Sequence, residues 1–261
     1  MKMLRLGCVV LTAIFTVNVQ GQAISLNDKP VINEQPLNEQ HFNGQVLSES
    51  DVVEVALAQQ IIDHSGLLSL SQQVKYSAQQ FIQGDQTINH AQHFAIAKSL
   101  AKRWTEEAWQ QRLLQRIEAM PIAQQQAILQ QLTQPLIQSA QQKERQAIAI
   151  QHSDEYQRYM AKLRQRPPAA SRWQLIETLD KNSGFSQMLI KARAAVIKDI
   201  SRQVKDWQVV SSWQADTQQE VLEFLFYAYR KTPNAELQRI AQSFNQPELS
   251  AFYGAVRKEI Y

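Results

Sequence analysis

The chain reads as an all-α protein, with two related multi-helix units following a cleaved signal peptide and a disordered lead-in. Three observations carry this reading. Only 7 glycines and 8 prolines punctuate 261 residues, too few for the turns of a sandwich or barrel, while glutamine, which suits helices, occurs 40 times. Apolar residues make up 44% of the chain and recur at three- and four-residue spacing, enough for a real core. The pattern of the first half also starts again after Pro167-Pro168. The formal charge of +3 includes Lys2 and Arg5 of the leader, and without those two it is +1. No basic balance therefore points to nucleic acid.

Residues 1–23 have the form of a bacterial secretory signal, with Lys2 and Arg5 ahead of the apolar run Leu6–Val17 and small residues at Gly21 and Ala23. Cleavage is expected after Ala23, with Gly21 second. No later segment approaches the roughly 20 apolar residues of a membrane span. Cys8 has Arg5 three positions before it, where a lipid-anchoring motif wants Leu, so no anchor is expected there. As Cys8 is the single cysteine, the mature chain would hold no disulfide, thiol nucleophile or thiolate metal site. Residues 24–50 are polar, with the echo Asn33-Glu34-Gln35 and Asn38-Glu39-Gln40, and read as a flexible lead-in.

The first unit spans 51–149. Asp51 with Glu54 fits a capping box ahead of Val52, Val55, Ala56 and Ile62, and this helix ends near Ser65-Gly66. A second helix carries Leu67, Leu70, Val74 and Phe81 and stops at Gly84. A third runs from about Asn89 to Arg103. Thr105 caps a fourth, whose Glu106 and Glu107 suit the positive end of the helix dipole. Pro121 and Pro135 open two more, since a first-turn N–H has no intrahelical partner to lose. The last of these is expected to run on through Tyr156, Tyr159, Met160 and Leu163 to about Arg166, so that 150–168 is a connecting helix ended by Pro167-Pro168.

The second unit spans 169–261 and opens on the capping-box pair Ser171 and Gln174. Leu175, Leu179, Asp180, Ser183 and Gly184 answer Leu57, Ile61, Asp63, Ser65 and Gly66. Leu225, Pro233, Ala235, Ile240, Phe244 and Pro247 then answer Leu113, Pro121, Ala123, Ile128, Leu132 and Pro135 at an offset shortened by six residues. Thr133 and Asn245 each precede the second proline by two positions. Such coincidence argues for duplication.

Glu236-Leu237, Ile240-Ala241, Phe244 and Pro247, following the apolar stretch Val221–Tyr229, resemble the closing motif of a family of secreted bacterial helical domains catalogued as DUF 2059; Leu249 stands where that motif carries glycine. Ile61-Ile62-Asp63-His64-Ser65-Gly66-Leu67 resembles the start of such domains. The resemblance implies an exported helical domain and supplies no reaction and no catalytic residues.

His90 and His93 share one side of a helix, as a two-histidine metal site requires, with Asp85 and His64 as further candidate ligands. Nothing in the spacing makes these four converge, and solvated histidines near a helix start are the expected reading. Asp63-His64-Ser65 holds the residue types of a hydrolase triad, but adjacent residues in one turn cannot serve as nucleophile, base and orienting acid. Lys181-Asn182 stand in place of His64 in the second unit while Asp and Ser persist, as expected of turn caps. No phosphate loop, nucleophile elbow or His-Glu-x-x-His helix occurs. The carboxylates Glu106, Glu107, Asp154 and Glu155 read as solvated charge. Lys143, Arg145, Arg158, Lys162, Arg164 and Arg166 are diluted by Glu144, Asp154 and Glu155, which weakens any case for an anionic surface. No catalytic residue, metal or cofactor is assigned.

Where the units differ, polar or small positions of the first become aromatic in the second. Arg112 gives way to Phe224, Gln115 to Tyr227, Ala140 to Phe252 and Gln141 to Tyr253. Trp109, Leu113 and Ile117 match Val221, Leu225 and Tyr229 as the common core face, so the extra aromatics demand a second cover. The connecting helix or the first unit is the expected cover, and truncating Phe224 would then cost the roughly 3–5 kcal/mol of a core aromatic. The functional alternative makes these four an interaction or ligand face. The function expected from sequence is accordingly a non-enzymatic interaction protein of the bacterial envelope, periplasmic or secreted. Its expected partner is another envelope protein. A carrier of an apolar ligand is the alternative, and a hydrolase ranks last.

Expressed with its leader, the protein is expected outside the cytoplasm with a mass matching a start at Ile24 or Gln22. Mass spectrometry finding Met1–Ala23 retained would refute the leader.

Overall fold

In a computed structural model the protein is described at residues 49–82, 88–151 and 153–260. The leader, most of the lead-in, Gly84 and Asp85 lie outside the described residues, as do the side chains of Asp51, Val52, Glu54 and Val55. Twelve α-helices and no strand occur among the described residues: α1 Glu49–Ser65, α2 Ser69–Ile82, α3 His90–Trp104, α4 Glu106–Glu118, α5 Ile122–Leu132, α6 Pro135–Ile150, α7 Asp154–Gln165, α8 Ala170–Ser183, α9 Phe185–Gln203, α10 Trp213–Ala228, α11 Asn234–Phe244 and α12 Pro247–Lys258. None is long and apolar enough to cross a membrane.

Local chemistry sets most boundaries. Asn89 and Gln92 form a reciprocal capping box at the start of α3, and the Thr105 side chain accepts the Ala108 N–H at the start of α4. Pro135 and Pro247 occupy the first turn of α6 and α12. Pro121 sits one residue earlier than expected, at the cap of α5, and Pro233 does the same for α11.

Two boundaries differ from the sequence reading. The connecting helix is not continuous: α6 ends at Ile150, and Ser153 caps a separate α7 by accepting the Tyr156 N–H, with Asp154 and Glu155 in the new first turn. At the start of α8, Ala169 is the cap and Ser171 lies inside the first turn. The Arg172 and Trp173 N–H groups already reach back to the Ala169 carbonyl, so the helix begins ahead of the serine.

Some residues that answer each other in sequence share local geometry. Gly66 and Gly184 both follow a helix with φ of 73° and 72°, a left-handed turn that glycine adopts without a Cβ clash. Thr133 and Asn245 share φ −86° and ψ −1°. Helix α5 packs on α1 as α11 packs on α8. The first half places α2 and α3 between α1 and α4, whereas the second places only α9 and a non-helical connection between α8 and α10, where the offset shortens.

The last helix of each half packs on the other half. Helix α6 lies on α10 and α11, and α12 lies on α4 and α5, while α2 and α9 pack on each other. Residues 51–149 and 169–261 consequently belong to one compact unit, Leu47–Tyr261, with a continuous core that includes Trp104, Trp109, Ile128, Tyr229, Phe244 and Phe252. Trp104 and Trp109 stack at 5.6 Å, and the Arg112 guanidinium lies 5.0 Å from each ring.

The left-handed glycines set a stability prediction. Gly66→Ala is expected to cost about 1–2 kcal/mol in urea denaturation, from the backbone conformation alone, because its Cβ would meet nothing nearby. Gly184→Ala is expected to cost at least as much, since its Cβ would also displace the Arg257 guanidinium. Unchanged midpoints would show that these turns tolerate a side chain.

Candidate functional site

Three of the four aromatics that could have formed an interaction or ligand face are buried inside the fold. Tyr227 is fully buried under α7: Tyr156 and Tyr159 pack on its ring at 4.8 and 5.1 Å, and its hydroxyl donates to Glu155 at 2.9 Å. Phe252 and Tyr253 are buried as well, and the Tyr253 hydroxyl donates to the Ser65 carbonyl at 3.3 Å. No partner can dock on these three, because the connecting segment and the first half already cover them. Phe224 differs. It is only half-buried and lines a cleft.

The cleft is lined from the Ser65–Leu67 turn, α2, α6, α7, α9 and α10 and has a volume of about 310 Å³. Leu67, Leu70, Met160, Met188 and Val221 are its buried apolar residues, and Ile148, Tyr156, Phe185, Leu189 and Phe224 are half-buried. Tyr76, Arg145, Gln157, Arg164 and Glu220 are exposed around it. Two of the arginines are held in place. Arg164 grips Glu223 with two bonds of 3.0 and 2.7 Å, and Arg193 donates to Ser77, Thr217 and Glu220.

Within this largely apolar lining stand Gln141 and Glu144, one turn apart on α6. The Gln141 amide donates to the His64 carbonyl, and its Oε1 is buried with no hydrogen-bond partner. Glu144 Oε1 accepts the Tyr229 hydroxyl at 2.6 Å. Burial pushes the Glu144 carboxyl up to about 7, against the opposing pull of the Tyr229 hydrogen bond and the Arg145 charge. Tyr229 is itself pushed well up by burial and by Glu144, so it remains a donor. Sequence reading used Glu144 only as a diluting charge. The available signal was its place on the stripe Ile137, Ala140, Glu144 and Ala147, where helical spacing puts an acid on the core face.

The other candidates fall elsewhere. His90 is exposed at the first position of α3 and His93 is half-buried. His64 Nδ1 faces the Gln138 amide at 3.2 Å. No group of three or more His, Cys, Asp or Glu side chains suited to a metal occurs among the described residues. Ser65 Oγ donates to the Ile62 carbonyl and accepts the Leu67 N–H, and Asp63 accepts from Gln59, so this trio closes a helix end. Asp180 likewise accepts the Ser186 N–H at 2.8 Å. The basic run divides between α6 and α7, with Lys143 paired to Glu236 at 2.7 Å.

Compared with family models, curated proteins and solved structures, the chain gives no match.

The Glu144 shift sets a pH dependence of known sign. Between 4.5 and about 7 the folded protein holds a proton on Glu144 that the unfolded chain has released, so stability falls as pH rises through that window. The loss is on the order of 3 kcal/mol. Melting curves from pH 4 to 8 are expected to show a drop in the native protein that is absent from Glu144→Gln. Parallel profiles for the two proteins would refute the shift.

Proposed function

We propose that the protein is a non-enzymatic carrier that holds an apolar small molecule in the cleft between its helices. The observation that supports this best is the cleft's composition: a largely apolar lining, a few polar groups at fixed positions, and a volume at the lower end of the range for small-molecule sites. An interaction surface built on the second-half aromatics has lost its basis, since Tyr227, Phe252 and Tyr253 are covered internally. The exposed large apolar residues Tyr76, Phe94, Ile122 and Val210 stand one each on α2, α3, α5 and the connection before α10. They do not replace that surface.

Two further readings complete this proposal. The leader pattern supports export to the periplasm or beyond, where an apolar solute needs a carrier through water. The like placement of Gly66 with Gly184, Pro121 with Pro233 and Pro135 with Pro247 supports an origin by duplication, with the two copies exchanging their last helices.

The test is binding of N-phenyl-1-naphthylamine, an uncharged apolar fluorophore, to the full-length protein, together with native mass spectrometry of protein purified without organic solvent. Fluorescence enhancement that saturates at one probe per chain is expected, and Leu189→Trp, which fills the cleft, is expected to weaken binding at least tenfold. Phe224→Ala is expected to weaken it severalfold while costing less stability than the roughly 3–5 kcal/mol of a fully buried aromatic, because the ring is only half-buried. Absence of saturable binding, or equal binding by Leu189→Trp, would refute the carrier.

A further inference from the structure

The buried acids among the described residues are Glu144, Asp180, Asp199 and Glu223. Two of them, Asp199 and Glu223, face arginines, although Asp199 Oδ2 is buried without a hydrogen-bond partner. Asp199 lies 3.5 and 3.4 Å from the guanidinium groups of Arg103 and Arg202. Glu223 is gripped by Arg164 through two bonds and also accepts from Gln219 at 3.1 Å. Asp180 takes a backbone N–H. Glu144 accepts the neutral hydroxyl of Tyr229 on Oε1 and makes no ion pair among the described residues, the Arg145 charge acting on it from beyond ion-pair distance. An isolated carboxylate in apolar surroundings is costly, and a cation with hydrogen-bonding protons offsets that cost most fully.

A second acceptor lies beside it. Gln141, 3% exposed and one turn earlier on the same helix, lines the same cleft with its Oε1 unpartnered. Its amide nitrogen is committed to the His64 carbonyl at the end of α1, which turns the oxygen, and not the nitrogen, away from that bond. Once Glu144 has released its proton, above about pH 7, Gln141 Oε1 and Glu144 Oε2 are both acceptors at this end of the cleft. A ligand head that accepts hydrogen bonds, such as a carboxylate, would meet two like dipoles. A head that donates would satisfy both.

Resting on the carrier reading above, we propose that the cleft selects apolar molecules bearing a primary amine, whose ammonium group pairs with Glu144 and hydrogen-bonds to Gln141 while the apolar body lies along Met188, Leu189 and Phe224. The volume of about 310 Å³ corresponds to about ten water volumes, which suits a body the size of a ten-carbon chain. The carboxyl pushed up to about 7 by burial is consistent with a site lacking its cation. Arg145, exposed at the edge of the cleft, marks where an anionic head would sit instead.

The experiment uses full-length protein at pH 8 and four probes built on a ten-carbon chain, decylamine, decanol, decyl methyl ether and decanoate, each displacing N-phenyl-1-naphthylamine. Decylamine is expected to bind at least tenfold tighter than the ether, with decanol between them and decanoate weakest. In Glu144→Gln the amine advantage over the ether is expected to fall to within threefold. Circular dichroism of the variant shows whether it is folded. If Glu144→Gln does not fold, the ranking of the four probes on native protein still decides the matter. Equal binding of amine and ether, or tightest binding of decanoate, would overturn the amine preference and leave the carrier intact. Failure of all four probes and of the fluorophore would overturn the carrier reading itself.

Discussion

The turn at the end of α1 is where distant parts of this fold are tied together. A helix end leaves carbonyls without intrahelical donors, and here side chains from three other helices supply them. The Gln141 amide on α6 reaches the His64 carbonyl, the Tyr253 hydroxyl on α12 reaches the Ser65 carbonyl, and the Trp109 indole N–H on α4 reaches the Leu67 carbonyl at 2.8 Å. Left unpaired, a buried carbonyl such as that of Ser65 would cost about 1–3 kcal/mol. The Leu67 carbonyl also accepts the Leu70 N–H, so the indole adds a second bond there. Gly66 completes the arrangement by taking the left-handed conformation that lets the chain double back into α2.

That tie accounts for the way the halves engage. Gln141 and Tyr253 answer each other in sequence, and they cap neighbouring carbonyls of one turn, one from within its own half and the other from across. The crossing of α6 onto α10 also brings Glu144 to the Tyr229 hydroxyl, and the crossing of α12 brings the Glu259 carbonyl to Arg112 at 3.4 Å. With α6 committed to α10 at one side and to the α1 turn at the other, the space bounded by α2, α7 and α9 is left as the cleft. The cleft and the interlock share the same residues, so a side chain such as Gln141 serves both.

Buried charge separates the structural from the functional parts of this interior. Asp199 and Glu223 face arginines from other elements or the next turn. Glu144 has no such arrangement, and burial holds its proton up to about 7. A carboxyl left in that condition beside a cavity is a sensitive point, because any change in its partner alters its charge.

The sequence by itself determined what depends on neighbours within about four residues. The start of α3 near Asn89, the Thr105 cap, the prolines at 135 and 247, the glycines at 66 and 184 and the core row Trp109, Leu113 and Ile117 could all be read because each answers a local need, while the Asn89–Gln92 capping box went unread. The break at Gln151–Ser153 was missed although Ser153, Asp154 and Glu155 form a start signal, since the apolar spacing through Tyr156 and Met160 continues across it. Only the tertiary structure decided what covers Tyr227, Phe252 and Tyr253, and which acid lies at the cleft. The aromatic excess showed that a second cover must exist, but hydrophobic burial has no direction, and an apolar face is equally satisfied by a helix of its own chain or by a partner. Glu144 followed the same rule: helical spacing put it on the inner face of α6, while its lack of an ion pair was decided by folding, which pairs Arg164 of α7 and Arg193 of α9 with Glu223 and Glu220 of α10 instead.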